Sequence, residues 1–278
     1  MTLPVFVAPA AAHAYPGALL TLDGAEGHHA VRVRRVRVGE QIDIVDGRGT
    51  RATCTVTVVA KDSLEARAES VATEPAGTRI TVVQALAKGG RDEQAVETCT
   101  EYGAAAFIPW EADRSVVHWK GEKRAKGRAR WEVTALAAAK QSRRAWIPEV
   151  RGALNTRDLV AFLSAEQPNA AGHADVTANT VPRVATRGGV VLICHETATV
   201  TLPTLLTEHR AVAARIREAG ATVVVGPEGG ISPAELEALG AAGGMPVLLT
   251  RNVLRSGSAA PFAIATIQAL TDTMGSDD

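Results

Sequence analysis

The sequence predicts an α/β fold with a largely parallel sheet, preceded by a small all-β domain. Three observations carry this reading. From residue 79 onward, short β-branched runs alternate with helical stretches. Before residue 73 the runs are strand-like, and several alternate with period two. Between them lies Glu74-Pro75-Ala76-Gly77, a cluster of chain breakers. The expected organisation is a β domain over residues 1–73, a linker over 74–78 and an α/β domain over 79–278.

In the first region, 41–45 (QIDIV) and 53–59 (TCTVTVV) read as strands, and 64–70 can supply another. Asp46-Gly47-Arg48-Gly49 between the first two reads as a tight hairpin turn. If the segment holding Arg32, Arg34, Arg35 and Arg37 is extended, Arg32 and Arg34 share one face and Arg35 and Arg37 the other. Past the linker, strands are expected at 80–87, 105–110, 145–150, 190–196, 222–226 and 246–250. Helices are expected near 91–102, 124–142, 156–164, 204–219, 232–241 and 256–273. Residues 166–188 are rich in Ala, Asn, Thr, Pro and Gly, show no period, and read as a flexible surface insertion.

Composition excludes several classes. Hydrophobic residues make up 46% and charged residues 22% of the chain, the profile of a globular protein rather than a disordered one. Aromatics are only 4%, so the core must be built from small aliphatic side chains. No apolar run approaches the roughly 20 residues that span a bilayer. The apolar stretch 1–12 lacks a basic start, so it reads as a strand and linker rather than a signal peptide. Cys54, Cys99 and Cys194 form no CxxC pair and fit no zinc pattern, so no metal is expected and a reducing cytoplasm is the simplest compartment. The formal net charge is zero, but the charge is uneven. Residues 114–157 hold 12 Lys/Arg against 3 Asp/Glu, whereas 158–278 hold 7 against 12. A basic middle suits a phosphate backbone, and it equally suits a solvated helix face.

The strongest local signal runs from Val223 to Glu235 (VVVGPEGGISPAE). An apolar strand enters a Gly-rich turn, and a helix follows with Ser232 as N-cap, Pro233 at the first helical position and Glu235 completing a capping box. Such a turn lets a ligand approach the backbone beside the strand ends; alternatively it is simply a well-made strand-to-helix connection. There is no GxGxxG after a strand and no GxxxxGK[ST], so a dinucleotide or P-loop site is not expected. A second strand-to-helix junction, Leu248 to Ala260, places Arg251 and Arg255 at its turn, where arginine can bind phosphate or stabilise developing negative charge.

Taken in order, these two segments resemble the C-terminal signature of the RsmE-type ribosomal RNA uridine-N3 methyltransferases of the SPOUT superfamily. Further matches run along the chain. His28-His29-Ala30-Val31-Arg32-Val33-Arg34-Arg35 resembles that family's HHxxVLR segment. Lys88-Gly89 with Asp92, then Glu101-Tyr102-Gly103, resembles its KGDR…ELG helix. Asp113-Arg114-Ser115-Val116 resembles its ERSV loop, and Lys140-Gln141-Ser142-Arg143-Arg144 its EQSRR segment. The chain departs from the pattern at Thr250, where glycine is usual, at Ser256-Gly257-Ser258 in place of Thr-Glu-Thr, at Lys140 in place of glutamate and at Tyr102 in place of leucine.

The resemblance implies a PUA-like β-barrel followed by a SPOUT-like parallel-sheet domain with a C-terminal trefoil knot, acting as a homodimer. It implies S-adenosylmethionine as cofactor, without metal, and 16S rRNA of the small ribosomal subunit as partner. The cofactor would touch three loops: Cys194, His195 and Glu196; Gly226, Pro227, Glu228, Gly229, Gly230 and Ile231; and Leu248, Leu249, Val253, Leu254 and Ser256. Arg255 would stabilise charge or position phosphate, and Glu228 would act as base or order its loop. Arg32, Arg34, Arg35, Arg37, Lys88, Arg91, Arg114, Arg143 and Arg144 would contact RNA. His28 and His29 can stack on RNA or make local structural bonds. The competing readings are a SPOUT-fold RNA-binding assembly factor with weakened catalysis, a small-molecule α/β enzyme using the Gly-rich turn for an anion, and a sister SPOUT enzyme modifying transfer RNA, against which the N-terminal resemblance argues.

Overall fold

Two hydrophobic patterns in the chain produce two separate sheets. The structure, a computed structural model, describes residues 3–166 and 189–272. The segment read as an insertion, 166–188, lies outside the described residues from 167 on. The chain divides into one unit of Met1–Ala76 with Leu136–Ile147, and a second of Gly77–Ala135 with Pro148–Asp278.

The first unit carries β1 (Val5–Val7), β2 (Leu19–Leu22), β3 (Gln41–Val45), β4 (Thr50–Val59) and β5 (Leu64–Thr73). They form a mixed sheet in the order β1-β3-β4-β5-β2. Only β1 and β3 run parallel; the remaining neighbours are antiparallel. Alternation decides the register. Ala52, Cys54 and Val56 of β4 and Leu64, Ala66 and Ala68 of β5 are all buried in one core with Phe6, Leu22, Ile42 and Ile44. The expected turn at Asp46–Gly49 closes the β3–β4 hairpin, with Asp46 Oδ1 accepting from the Arg48 and Thr50 amides at 2.7 and 2.9 Å.

Two expectations for this unit need correction. Residues 29–37 are not a strand. The helix α1 (Gly24–His28) runs directly into a π-helical turn at His29–Val33. The V-R-V-R spacing mimics period two, yet Ala30 is wholly buried while Val33 faces solvent, as a helical turn requires. Residues 136–147 group with this unit rather than with the α/β domain, and only Glu149–Val150 of the expected 145–150 strand is extended. Specific bonds hold the segment. Lys140 Nζ pairs with Glu26 at 2.6 Å, Arg51 donates to Arg143 O at 2.6 Å, and Trp146 Nε1 donates to Glu74 O at 2.9 Å. Ala145 packs against Val5 and Val45. Lys140, a departure from the family pattern, thus has a carboxylate partner of its own.

The second unit is built on β6 (Ile80–Ala85), β7 (Ala106–Glu111), β8 (Glu149–Val150), β9 (Leu154–Asn155), β10 (Val190–Cys194), β11 (Ala221–Val225) and β12 (Gly244–Val247). The order is β12-β10-β11-β6-β7-β8, with β9 also on β7, and every pairing is parallel. Its helices are α2 (Arg91–Glu101), the part of α3 (Glu122–Gln141) up to Ala135, α4 (Thr156–Glu166), α5 (Leu202–Glu208), α6 (Arg210–Ala219), α7 (Pro233–Ala241) and α8 (Ser256–Asp272).

Successive strand residues serve opposite faces, which is why the strands read as continuous apolar runs. Val82, Leu192 and Val223 pack with α2, α5, α6 and α8 side chains, among them Val96, Leu206, Ile216 and Ile264. Val83, Ile193 and Val224 pack on the other face with Leu159 and Leu163 of α4 and Leu239 of α7. The expected single helix 204–219 is two, broken at His209, whose backbone (φ −108°, ψ 72°) is not helical.

Candidate functional site

In a parallel sheet the loops leaving the C-terminal strand ends are neighbours because the strands are. Here Cys194 of β10 sits level with Val225 of β11 on one side and Val247 of β12 on the other, and Val225 is level with Gln84 of β6. The three loops picked out from sequence therefore leave the sheet side by side.

The turn after β11 is tightly built. Gly230 N–H donates to Pro227 O at 2.9 Å, closing it. The capping box forms as expected: Ser232 Oγ accepts from Glu235 N–H, and Glu235 Oε2 accepts from Ser232 N–H at 2.9 Å. Glu235 does more than the sequence shows. It is buried, and its Oε1 also accepts from the Asp113 amide at 2.8 Å and the Thr156 hydroxyl at 2.7 Å. Ser232 Oγ donates to Asp113 Oδ2 at 3.0 Å. One carboxylate thus pins the turn to the loop after β7 and to the start of α4.

Two arginines hold the tip. Arg91 Nη1 pairs with Glu228 Oε1 at 3.1 Å, and Arg114 Nη1 donates to Gly229 O at 3.1 Å. A Cβ on Gly229 would stand 3.1 Å from Arg114 Cβ and 3.2 Å from its carbonyl oxygen, so a side chain here would crowd Arg114. Gly230 has a positive φ of 74° and is less crowded than Gly229. The nearest atoms are Glu196 Oε1 at 3.7 Å and Arg114 Nη1 at 3.9 Å from an added Cβ. The Glu196 carboxylate of the first loop therefore stands beside Gly230 of the second loop.

The third loop differs. Leu249 is buried and Leu254 half-buried, but Val253 is 82% exposed. Arg255 is exposed, and its carbonyl accepts from the Ser258 and Ala259 amides as α8 begins. Ser256 is buried, and its hydroxyl donates to Gly226 O at 3.1 Å, joining the third loop to the second. In the first loop His195 Nδ1 lies 2.9 Å from Thr197 Oγ1. Burial pushes the Cys194 thiol up to about 12 and the Cys99 thiol well above its ordinary value, so neither is a ready nucleophile at neutral pH. Among the described residues no group of His, Cys, Asp or Glu stands where it could hold a metal ion, and no helix is long and apolar enough to cross a membrane.

The arginines expected at RNA fall in two sets. Lys88, Arg91 and Arg114 belong to the second unit, the latter two at the Gly-rich turn. Arg32, Arg34, Arg35, Arg37, Arg143 and Arg144 belong to the first. There Arg32 Nε pairs with Asp62 at 3.0 Å, and His28 lies 3.4 Å from the same carboxylate. Arg34, Arg35, Arg37 and Arg143 are exposed, and burial lowers the Arg144 guanidinium from its ordinary value. His29 packs edge-on to Phe6, and burial, then Lys140, lowers its pKa. Sequence reasoning missed Gln84, a buried amide inside an apolar strand; its one signal was a polar residue in the run ITVVQALA.

Residues 74–268 match the model of the RNA methyltransferase domain, and residues 22–69 that of the RNA methyltransferase PUA domain. The chain is 40% identical over 257 residues, 92% of its own length and 88% of the relative's, to the ribosomal RNA small subunit methyltransferase E of Mycobacterium bovis. It is 26% identical, with 92% of each chain covered, to the protein of the same name from Bacillus subtilis. Among solved structures it is similar to a Legionella pneumophila methyltransferase in complex with S-adenosylmethionine, at 26% identity, TM-score 0.74 and coverage of 97% and 98%. A ribosomal RNA small subunit methyltransferase E of Neisseria gonorrhoeae shares the fold at TM-score 0.77, with 24% identity and coverage of 97% and 98%.

Proposed function

Because this chain belongs to the ribosomal RNA small subunit methyltransferase E family, we propose that it methylates N3 of a uridine in 16S rRNA with S-adenosylmethionine as donor. The carrying observation is that the three loops meet. Ser256 bonds to Gly226, and the Glu196 carboxylate stands beside Gly230. Backbone from Gly226 to Ile231, flanked by 194–196 and by Leu248, Leu249, Val253 and Leu254, would hold the cofactor, whose adenine needs backbone polar groups and short side chains around it. When bound, the cofactor supplies a methyl group already activated by its sulfonium.

The chain's own work is alignment and charge. Uridine N3 carries a proton that must pass to a base or to solvent water before N3 can attack, and the pyrimidine anion then needs a cation. Arg255, exposed beside the cradle, is assigned to that charge or to a flanking phosphate. For Glu228, the pairing with Arg91 supports the loop-ordering role over that of base. N3 lies on the Watson–Crick edge, so the target base must be unpaired or flipped out. The basic side chains of each unit are assigned to RNA phosphates, which predicts a strong salt dependence of RNA affinity. The reading extends to a PUA-like barrel in the first unit, a trefoil knot in the second, a homodimeric enzyme and a cytoplasmic location.

Mass spectrometry of 16S rRNA from a deletion strain tests it. One 3-methyluridine should vanish, return with the wild-type gene and return only weakly with Arg255→Ala, whose rate should fall about 100-fold or more. Persistence of every 3-methyluridine in the deletion strain contradicts the assignment.

A further inference from the structure

We propose that Gln84 is a positioning residue for the cofactor turn, acting through the Ser256 hydroxyl on the carbonyl of Gly226. The proposal rests on the assignment of that turn to S-adenosylmethionine. Gln84 is the fifth residue of β6, with no accessible surface, in the sequence Ile-Thr-Val-Val-Gln-Ala. Burying a primary amide there is costly unless its hydrogen bonds are replaced, and a leucine of similar size carries no such cost. Its Nε2 donates to Ala85 O at 3.2 Å and to Ser256 Oγ at 2.8 Å. Ser256 Oγ in turn donates to Gly226 O at 3.1 Å. A serine hydroxyl has one proton, and with Gln84 donating into a lone pair that proton is directed at Gly226. The relay therefore runs one way. Oε1 of Gln84 is buried without a hydrogen-bond partner. An amide retained in a core despite an unpaired acceptor points to a role beyond packing.

The relay fixes the peptide plane between Gly226 and Pro227, the entry to the turn that Gly230 N–H closes on Pro227 O. The backbone of Glu228 and Gly229 inherits its orientation from that plane. The same helix start also braces the tip. A Cβ at Gly257 would come within 2.9 Å of Arg91 O, so the first turn of α8 lies directly on the start of α2. The Arg91 guanidinium is the group that pairs with Glu228. Ser256 is thereby assigned to positioning, since its hydroxyl is occupied by Gln84 and Gly226, rather than to the direct cofactor contact that the resemblance implied.

Calorimetric titration of S-adenosylmethionine into the full chain tests this, using wild type, Gln84→Leu, Ser256→Ala, the double variant and Ser256→Thr, with thermal melts of each unliganded protein. Gln84→Leu and Ser256→Ala should each weaken binding by about three- to ten-fold, the worth of one hydrogen bond. The double variant should bind no worse than the weaker single, because both changes break one relay. Ser256→Thr should restore most of the affinity. The melting temperature of Gln84→Leu should equal or exceed that of wild type, since an unpaired buried oxygen is removed. Weaker binding in an equally stable fold is a result that packing alone does not produce.

Unchanged affinity in Gln84→Leu, additive losses, or losses that track melting temperature overturn the proposal. If Gln84→Leu does not fold, unchanged affinity in Ser256→Ala overturns it from the other end of the relay. A wild-type chain that takes up no S-adenosylmethionine refutes the cofactor assignment itself and the proposal with it, an outcome distinct from a binding wild type with an unaffected Gln84→Leu.

Discussion

The turn after β11 and the segment leading into α8 are joined through Ser256 and Gly226, yet they are built in opposite ways. The first is closed by its own backbone, capped by Ser232, pinned through Glu235 to two other loops and held at its tip by Arg91 and Arg114. The second is tied at its ends, by Leu248 to Val200 and Leu202 and by Ser256 to Gly226, but between them it has only a Thr250 hydroxyl bonded to Asn252 O and an exposed Val253. A prebuilt wall loses little freedom when a ligand arrives, whereas a loose one must be ordered at that moment. If the proposed cofactor site is right, affinity should depend mainly on the rigid wall and release on the loose one.

The largest effect expected from breaking the rigid wall is on stability. Glu235→Ala leaves the Asp113 amide, the Thr156 hydroxyl and the Ser232 amide without their acceptor, and should lower the unfolding free energy by about 2–4 kcal/mol in urea titrations. Next comes Gly229→Val, which forces Arg114 aside. It should weaken S-adenosylmethionine binding at least about tenfold by calorimetry while leaving the far-UV circular dichroism unchanged. The loose wall should respond in the reverse manner. Val253→Ser, at an exposed position, should alter stability by less than about 0.5 kcal/mol but speed cofactor release a few-fold in stopped-flow measurements.

The smallest effect is a control outside the cradle. Burial, then Lys140, lowers the His29 pKa in the folded first unit. The unfolded chain therefore binds the proton more readily. The associated stability is fully present above the ordinary histidine value near 6.5 and is lost as pH falls below it. Unfolding midpoints should drop modestly between pH 7.5 and 5.5, and His29→Gln should flatten that slope while leaving cofactor affinity as it was at pH 7.5.

The same contrast explains what was legible in the sequence. Local chemistry was legible: the Ser232–Glu235 capping box, the Asp46–Gly49 turn and the apolar parallel strands are each specified by neighbours a few residues apart. Long-range partners were not. Nothing near Glu235 announces that Asp113 and Thr156 will donate to it, and nothing near Gln84 announces Ser256. Residues 29–37 misled for a different reason. Valine and arginine alternating through VRVRRVRV imitate a strand, while α1 before them supplies the helical nucleus that wins. The helix break at His209 was hidden because the apolar period continues through it on both sides. The Gly-rich turn itself was ambiguous until Arg114 and Glu196 were seen around it, since a glycine's reason lies in what approaches it.

Hydrogen–deuterium exchange of the full chain with and without saturating S-adenosylmethionine tests the shared cradle most directly. Protection should appear together in peptides covering 194–197, 226–231 and 248–256, with the greatest gain at 250–255, where Arg251, Asn252, Val253 and Arg255 are exposed. Protection confined to one of these segments, or none in any of them under saturation, would contradict a site assembled from all three.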